Sequence, residues 1–131
     1  MFAISGTGAG AATGGITLEH SNAGPNRGYV YYNGQPICGE NPNFWTIHNA
    51  NVVCKMLGYT NATDHDCDTC GLSEKYGPCP PAGLQFGVSG FKCNGTETHI
   101  LQCPHDSSVP AGCGDSGKTN QAHDNVMVLC A

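Results

Sequence analysis

The first part of the chain alternates hydrophobic and polar positions in two places, and each alternation predicts β-strands. Ile16 and Leu18 are separated by polar neighbours in ITLEH. β-Branched and aromatic residues fill YVYYNGQPIC, where the Asn33-Gly34 dipeptide predicts a tight turn between two strands of a hairpin. Later short apolar segments, LQFGV, HILQC and NVMVLC, are separated by turn residues and predict further short strands.

One segment has helical rather than strand periodicity. Apolar side chains recur at helical spacing through TIHNANVVCKMLG. These side chains are Ile47, Ala50, Val53, Cys54 and Leu57. Thr46 is placed to cap the N-terminus of a helix, and Gly58 is placed to end it. The pattern therefore predicts one α-helix after the hairpin.

Two stretches of the chain lack periodicity. Residues 1–15 consist mainly of glycine, alanine and small polar residues, as in SGTGAGAATGG, and predict a flexible leader ahead of a single domain at 16–131. Residues 60–85 are rich in Asp, Gly, Pro and Cys and predict a long loop. Loops of this length are uncommon in compact domains, so we expect a covalent link that attaches this one to the rest of the domain.

The composition indicates a small secreted domain. The chain has 131 residues, of which 11% are charged and 39% hydrophobic, and it contains nine cysteines. That cysteine density is typical of disulfide scaffolds made in an oxidising compartment, because the cytosol keeps thiols reduced. Two sequons, NAT at Asn61 and NGT at Asn94, are candidate N-glycosylation sites. They fit the same extracellular location, in a secreted protein or in the ectodomain of a membrane protein.

Charge and hydropathy exclude two classes of partner. Five basic and ten acidic residues give a net charge of −5, which argues against direct binding to nucleic acid. No stretch approaches about 18 consecutive apolar residues, so direct membrane insertion is not expected. The opening MFAIS lacks the basic start and apolar run of a signal peptide, which predicts a mature fragment or a chain whose secretion signal was removed.

Four motifs resemble those of the scavenger receptor cysteine-rich domain: GYVYYNGQPIC, NANVVCKMLGY, KCNGTETHILQCP and VMVLC. The resemblance runs from about Ile16 to Ala131 and implies a small disulfide-rich α+β fold, in which a curved antiparallel β-sheet cradles one α-helix. It also implies three disulfides, which are Cys38–Cys113, Cys54–Cys130 and Cys93–Cys103. An eight-cysteine subgroup has one further pair, but Tyr59 occupies one of its places here. The chain therefore resembles the six-cysteine, group A-like subgroup, with three extra cysteines.

The implied disulfides are structural in character. Closing loops of roughly 10 to 75 residues stabilises a fold by about 3 to 4.5 kcal/mol each in the chain-entropy model, which compensates for a small core. Cys54 lies on the apolar face of the predicted helix. A bond from Cys54 to the last predicted strand would therefore clamp the helix to the sheet.

The resemblance further implies a cation site. Members of the family often carry two acids just after the first cysteine and a glutamate shortly before the last. The nearest counterparts here are Glu40 and Asp124, with Asn125 as a weaker oxygen donor. Because Ca²⁺ takes about 6 to 8 oxygen ligands, this set would hold it only loosely. We expect no required cofactor; Ca²⁺ is the candidate ion, but solvated surface acids are the favoured interpretation of these residues.

The long loop holds three cysteines that the resemblance does not assign, namely Cys67, Cys70 and Cys79. Their odd number implies one pair plus either a free thiol or an intermolecular bond. In an oxidising compartment the favoured interpretation is a Cys70–Cys79 or Cys67–Cys79 disulfide that fastens the loop. The remaining thiol allows a disulfide-linked dimer, and non-covalent self-association is the alternative.

The DHDCDTC segment of this loop also permits metal or thiol chemistry. Cys67, Cys70 and Cys79 with His65 would make a Cys₃His zinc site at suitable spacing. A redox CxxC motif lies at the N-terminus of a helix, and the following GLSEKYGPCPP segment predicts no helix. A Ca²⁺ loop through the three aspartates of the segment fails at Thr69, where glycine is needed. These alternatives rank below the disulfide.

Catalysis is not predicted. His105-Asp106 and His123-Asp124 are interpreted as surface pairs, because the sequence places no base against a nucleophile. GVSG is not a nucleophile elbow, and no glycine-rich phosphate loop joins a strand to a helix. Sheet or core positions are predicted for Tyr29, Tyr31, Tyr32 and Trp45. Tyr76, in the long loop, is predicted to be the exposed aromatic residue.

The combined interpretation is an extracellular ligand-recognition module of a secreted or cell-surface protein of the scavenger-receptor type. Its predicted partner is a protein, a glycan or a microbial-surface ligand, with a cation assisting. The first alternative is a structural or regulatory interaction module of an extracellular enzyme or matrix protein. The second alternative is a metal-binding or thiol-active module centred on residues 64–79.

Overall fold

Short strands form a sheet that packs against a single helix in the described part of the chain. The structure is a computed structural model and describes residues 14–21, 24–39, 45–66, 76, 86–106 and 125–131. Within these residues the strands are β1 (Ile16–Glu19), β2 (Arg27–Tyr32), β3 (Gln35–Cys38), β4 (Ala62–Asp66), β5 (Val88–Ser89) and β6 (Met127–Cys130). The helix α1 spans Ile47–Met56, and a short 3₁₀ helix spans Ile100–Gln102.

Two elements differ from the sequence prediction. The composition predicts a loop from residue 60, whereas Ala62–Asp66 form β4, because pairing with β6 overrides the low strand propensity of these polar residues. The HILQC segment predicts a strand, whereas Ile100–Gln102 form a 3₁₀ turn. The His99 side chain caps this turn, since its Nδ1 accepts the N–H of Leu101 at 3.1 Å.

β6 is the strand that joins the two parts of the sheet. The strand order is β4-β6-β2-β3-β5, and β1 also pairs with β2. β6 forms antiparallel ladders with β4 and with the beginning of β2. The buried indole of Trp45, a predicted core residue, donates its Nε1 proton to the Met127 carbonyl of β6 at 3.2 Å. The predicted α+β class, a sheet combined with one helix, is confirmed.

The hairpin between β2 and β3 turns at the predicted dipeptide. Asn33 has a φ of 50° and Gly34 a φ of 83°, so both residues lie in the left-handed region. Two such residues form the turn whose twist matches that of paired strands. Tyr32 and Gln35 pair directly across it, and the predicted turn is confirmed.

α1 begins and ends at the predicted caps. The Thr46 side chain accepts the N–H of Asn49 at 3.4 Å. At the other end Gly58 has a φ of 94°, and its N–H donates to the Lys55 carbonyl at 3.0 Å. This glycine conformation commonly ends helices because it satisfies the last carbonyls. No helix in the described ranges has the length and apolarity that crossing a membrane requires.

The main core lies between α1 and one face of the sheet. Ala50, Val53 and Cys54 of α1 are fully buried, as the helical pattern predicts. The buried face is wider than the apolar pattern, because Asn49 and Val52 are also fully buried. The other main members of this core come from the strands and from segments beside them: Ile16, Val30, Ile37, Trp45, Phe91, Ile100, Val126 and Val128.

Two disulfides join described residues, and both are pairs that the family resemblance implies. Cys54–Cys130 links α1 to β6 across 76 residues, with the two Cα atoms 5.5 Å apart. Cys93–Cys103 closes a loop across 10 residues, with the two Cα atoms 4.7 Å apart. The chain-entropy model gives about 4.5 kcal/mol of stabilisation for the longer closure and about 2.7 kcal/mol for the shorter one.

The other predicted pairings involve residues outside the described ranges. Cys38 is disulfide-bonded, and its predicted partner Cys113 lies outside those ranges, as do the three loop cysteines Cys67, Cys70 and Cys79. Of the predicted leader the structure describes the last two residues, and the Gly15 carbonyl accepts the N–H of Asn33 at 2.9 Å. These disulfides and the leader boundary therefore stay predictions.

Replacing Gly34 with alanine should destabilise the protein by about 1 kcal/mol, because a Cβ is strained at a φ of 83°. Nothing lies within 4 Å of the added Cβ, so the backbone angle alone accounts for the loss. Urea unfolding of the oxidised protein measures the change. Gly34→Asn is the matched control with a smaller expected loss, since asparagine tolerates this conformation. Equal losses would contradict the backbone explanation.

Candidate recognition surface

A buried amide on α1 holds the segment that leads into the Cys93–Cys103 loop. The Asn49 side chain is fully buried. Its Nδ2 donates to the Phe91 carbonyl at 3.1 Å, and its Oδ1 accepts the N–H of Cys93 at 2.8 Å. One side chain therefore satisfies two backbone groups that are buried with it. The segment is fixed to the helix immediately before the loop begins.

The loop from Cys93 to Cys103, called the 93–103 loop below, begins with a turn that a carboxylate holds. Glu97 accepts the N–H of Asn94 at 3.1 Å and that of Gly95 at 3.0 Å. Partial desolvation opposes ionisation of Glu97, but these backbone hydrogen bonds outweigh it and lower the pKa of the carboxyl group. A charged acceptor therefore stabilises the turn at neutral pH.

Further hydrogen bonds tie the 93–103 loop to α1 and to itself. Lys55 of α1 donates from Nζ to the Gly95 carbonyl at 2.6 Å. Gln102 Oε1 accepts the N–H of Thr98 at 2.9 Å. The disulfide closes the loop at both ends. Each of these restraints favours a single conformation of the exposed loop.

The end of the 93–103 loop presents a hydrophobic side chain to solvent. Leu101 is 39% exposed, more than any other large hydrophobic side chain in the described ranges. Its neighbour Ile100 is fully buried in the main core and anchors the 3₁₀ turn. Gln102, Pro104 and His105 are exposed beside it. Leu101 together with these three exposed residues is called the loop surface below.

The opposite face of the sheet carries a second buried cluster, made mainly of tyrosines. Side chains alternate along β2, so Val30 belongs to the main core while Tyr29 and Tyr31 belong to the second cluster. The two tyrosines are buried, as predicted, together with Met127 and Tyr76. Tyr76 is only 3% exposed, so the prediction that it is the exposed aromatic residue is wrong. The second face of the sheet also needs an apolar cover, and the Tyr76 ring contributes to that cover.

The tyrosine hydroxyls in this cluster stay protonated at neutral pH. Burial, with a smaller contribution from Asp66, raises the pKa of Tyr29 to about 12. Burial also raises the pKa of Tyr76, followed by the charges of Asp64 and Asp66. Neutral hydroxyls serve as hydrogen-bonding groups and not as nucleophiles. The cluster is therefore a second core, with the first acids of the DHDCDTC segment at its edge.

Asn125 is the one residue of the predicted cation site within the described ranges, because Glu40 and Asp124 lie outside them. Its side chain is fully buried, and its Nδ2 donates to the carbonyls of Val30 at 3.0 Å and Ile37 at 3.3 Å. Its Oδ1 has no hydrogen-bond partner among the described residues. Because the two carboxylates of the set lie outside the described ranges, the cation site stays a prediction.

A cluster of metal-ligand residue types near the 93–103 loop does not make a metal site. Ligand atoms of Cys93, Glu97 and Cys103 lie within 4.8 Å of one another. The two sulfurs are bonded to each other, and zinc binds thiolates. Glu97 already accepts two backbone N–H groups. Of the predicted zinc ligands in the long loop, His65 alone lies within the described ranges, so that site stays a prediction.

His105 and Asp106 occupy exposed positions, as expected for a surface pair. The His105 ring stacks on Phe91 with the ring centroids 5.1 Å apart. Asp106 pairs its backbone with that of Ser89. The other predicted pair, His123-Asp124, lies outside the described ranges. The described pair therefore contributes to packing and to the strand edge.

Both sequon asparagines are exposed. Asn94 lies in the turn that opens the 93–103 loop, and Asn61 immediately precedes β4. Their backbone surroundings differ, since Asn61 hydrogen-bonds to Ala131 beside the β4–β6 ladder. The two candidate sites are therefore not equivalent.

Sequence reasoning missed the residues that hold and form the loop surface. Asn49 falls outside the apolar pattern, yet it precedes Val52 and Val53 by three and four positions, a spacing that places all three on one helix face. Glu97 follows Asn94 by three positions, a spacing at which a carboxylate reaches back to turn N–H groups. The exposure of Leu101 gives no local signal, because it depends on the 3₁₀ turn.

Comparisons with known proteins agree with this geometry. The sequence model of the scavenger receptor cysteine-rich domain family matches residues 19–131 of this chain. Galectin-3-binding protein from Bos taurus is 31% identical over 87 residues, which cover 65% of this chain and 14% of that protein. Lysyl oxidase homolog 3A from Danio rerio is 32% identical over 95 residues, which cover 72% of this chain and 11% of that protein.

A solved structure shows the same fold. The third SRCR domain of murine neurotrypsin superposes with a TM-score of 0.61 at 22% sequence identity, covering 88% of this chain and 94% of that one. The chain spans only 14% and 11% of the two relatives from Bos taurus and Danio rerio. The sequence similarity to these relatives therefore concerns one domain within much longer proteins.

Asn49→Ala should lower the free energy of unfolding by about 2 to 4 kcal/mol, because it leaves two buried backbone groups without partners. Urea unfolding of the oxidised protein measures the loss. Asn51→Ala is the matched control, since this half-buried amide accepts one N–H, from Ala62 at 2.8 Å. The control should lose about 1 kcal/mol or less. Similar losses in the two variants would show that Asn49 does not hold the loop segment.

Tyr29 should ionise near pH 12 in the folded protein, whereas an unperturbed tyrosine ionises near pH 10. Because its folded-state pKa is raised, the stability contributed by the neutral hydroxyl is complete below pH 10 and is lost as the pH rises towards 12. Alkaline titration of tyrosinate absorbance should therefore show a late step that is smaller in Tyr29→Phe. Unfolded protein in urea is the control and should lack the late step. An unchanged late step in the variant would refute the assignment.

Proposed function

The chain belongs to the scavenger receptor cysteine-rich domain family, and on this premise we propose that it binds a protein ligand through the loop surface. Domains of this family are non-catalytic interaction modules that act outside the cell, and they need no cofactor in general. The choice of a protein ligand, and of the surface that binds it, rests on the contacts of the described residues.

The observation that carries the proposal is the preorganisation of an exposed loop. The 93–103 loop is closed by its disulfide, hydrogen-bonded to Lys55 of α1 and preceded by a segment that Asn49 fixes. Ordering a flexible loop opposes association, so a loop that is already ordered binds more tightly for the same contacts. Rigid scaffolds that present loops in this way are typical of binding domains.

The chemistry of the loop surface suits a protein partner. Leu101 supplies apolar area, and the exposed Gln102 and His105 beside it offer hydrogen-bonding groups. Pro104 adds apolar area with a fixed backbone angle. A protein ligand can bury the leucine while polar groups around it form hydrogen bonds at the rim.

Glycan and polyanionic ligands have less support from the described residues. Exposed aromatic rings offer the flat apolar area on which sugar faces stack. In the described ranges five aromatic side chains are buried and three are half-buried. The buried ones are Tyr29, Tyr31, Trp45, Tyr76 and Phe91, and the half-buried ones are Tyr32, Tyr59 and Phe86. The net charge of −5 opposes direct contact with an anionic microbial surface. A protein ligand is therefore the better supported class.

A second candidate function is favoured by one comparison. Lysyl oxidase homolog 3A from Danio rerio contains a similar segment within a longer protein. The alternative is thus a structural or regulatory module of an extracellular enzyme or matrix protein. In that case the loop surface contacts another domain of the same polypeptide, and the isolated domain has no affinity for separate proteins.

Binding to a panel of purified extracellular proteins tests the proposal, with the biotinylated domain immobilised on a biosensor and applied in parallel to a glycan array. We expect binding to a panel protein, and Leu101→Ser should weaken it about ten-fold, or by about 1.4 kcal/mol, because buried leucine area is lost. The substitution is at an exposed position, so the unfolding midpoint should not change.

Glu19→Gln is the matched control, since Glu19 is exposed on β1 and lies outside the 93–103 loop. It should bind as the unmodified domain does. Binding seen on the glycan array alone, or protein binding that survives Leu101→Ser, would contradict the proposal. If the isolated domain binds no panel protein while Leu101→Ser changes the activity of the longer parent protein, the second candidate function is favoured instead.

A further inference from the structure

The sequon at Asn61 is engaged with the neighbouring strand. The Asn61 backbone carbonyl accepts the N–H of Ala131 at 2.9 Å. Ala62, the middle residue of the sequon, is buried and pairs with β6. The hydroxyl of Thr63 donates to the Leu129 carbonyl at 3.3 Å. All three residues of this sequon are therefore bound to β6 or to Ala131, which immediately follows it.

The side chains of the Asn94 sequon are engaged only within their own turn, although the backbone carbonyl of Gly95 accepts a hydrogen bond from Lys55 of α1 at 2.6 Å. Asn94 Oδ1 accepts the N–H of Thr96 at 2.8 Å and the hydroxyl of Thr96 at 2.6 Å. Gly95 between them has a φ of 99°, and the three residues form an Asx turn. Asn94 and Thr96 are exposed, and no described strand pairs with them. The asparagine and the hydroxyl of this sequon are already together at the surface.

Oligosaccharyl transfer requires access to both of these side chains. The reaction joins Nδ2 of asparagine to C1 of a sugar, while the bond from C1 to the diphosphate of a lipid-linked oligosaccharide breaks. The amide loses one proton, the lipid diphosphate leaves, and no atom is oxidised or reduced. The acceptor is the Asn-X-Ser/Thr triplet as a unit. A triplet bonded to a neighbouring strand must first leave that strand, whereas a triplet in an exposed turn need not.

We propose that Asn61 accepts an oligosaccharide only before β6 docks, whereas Asn94 remains an acceptor in the folded domain. Thr63 and its hydrogen-bond acceptor Leu129 are 66 residues apart in sequence. At roughly 5 to 20 residues per second, synthesis delivers β6 about 3 to 13 s after the sequon. The Cys54–Cys130 disulfide then holds β6 against α1. Formation of that disulfide therefore ends the period in which Asn61 is modified.

A glycan that is added early remains compatible with the folded sheet. Asn61 is exposed in the folded domain. Its contacts to Ala131 use the backbone N–H and carbonyl, which the sugar does not alter. The modified asparagine can therefore join the sheet when β6 arrives, and its glycan projects into solvent.

The test uses the full chain made in a bacterial periplasm, with its disulfides formed and no glycans attached. One portion stays native, and a second portion is reduced and alkylated so that it cannot refold. Both receive a purified oligosaccharyltransferase and a lipid diphosphate-linked oligosaccharide, and mass spectrometry of peptides measures occupancy at each asparagine. The native protein should be modified at Asn94 and not at Asn61, whereas the reduced chain should be modified at both.

A Cys130→Ser variant, kept otherwise oxidised, supplies the second arm. Loss of the bond between β6 and α1 should restore modification at Asn61 and leave Asn94 unchanged, whether the variant loosens locally or unfolds. Equal modification of Asn61 in the native and reduced chains would overturn the proposal. Native protein that accepts glycan at neither asparagine, or at Asn61 alone, would overturn it as well, since Asn94 would then not be the acceptor of the folded state.

Discussion

The docking of β6 between β4 and β2 is the interaction on which the rest of the structure depends. β6 supplies an antiparallel ladder to each of these strands, and β4 has no other partner among the described strands. Alternate residues of β6 enter different cores, since Val128 packs against α1 and Met127 joins the tyrosine cluster. The Cys54–Cys130 disulfide then ties the strand to the helix. Both buried layers and the helix are therefore held together through four residues near the end of the sequence.

Buried amides, more than apolar contacts, determine how the segments are aligned. Apolar packing is not directional, whereas hydrogen bonds require donors and acceptors at particular places. Asn49 matches one carbonyl and one N–H of the segment before the 93–103 loop. Asn125 bridges carbonyls of β2 and β3. A shift of either segment by one residue would leave buried polar groups without partners, so each amide selects a single alignment.

Local chemistry made the hairpin and the helix predictable, because the Asn33-Gly34 turn and the Thr46 and Gly58 caps depend on neighbours in sequence. Features set by distant residues were not predictable in this way. The polar segment Ala62–Asp66 forms a strand only because β6 pairs with it. Tyr76 is buried because the sheet has a second covered face. The sequence marks Asn125 as a candidate oxygen donor to a cation. Its burial and its hydrogen bonds to two strands follow from the fold and have no local signal.

The attachment of the 93–103 loop at a few fixed points separates the scaffold from the surface it displays. The two bonded cysteines, the buried Ile100 and the amide of Asn49 join the loop to the core. Leu101 lies between these points and is exposed, so a substitution there leaves the attachment points in place. Duplicated copies of such a domain can therefore diverge in what they bind through substitutions at exposed positions of this loop. The hypervariable loops of antibodies diverge on a constant framework in the same way.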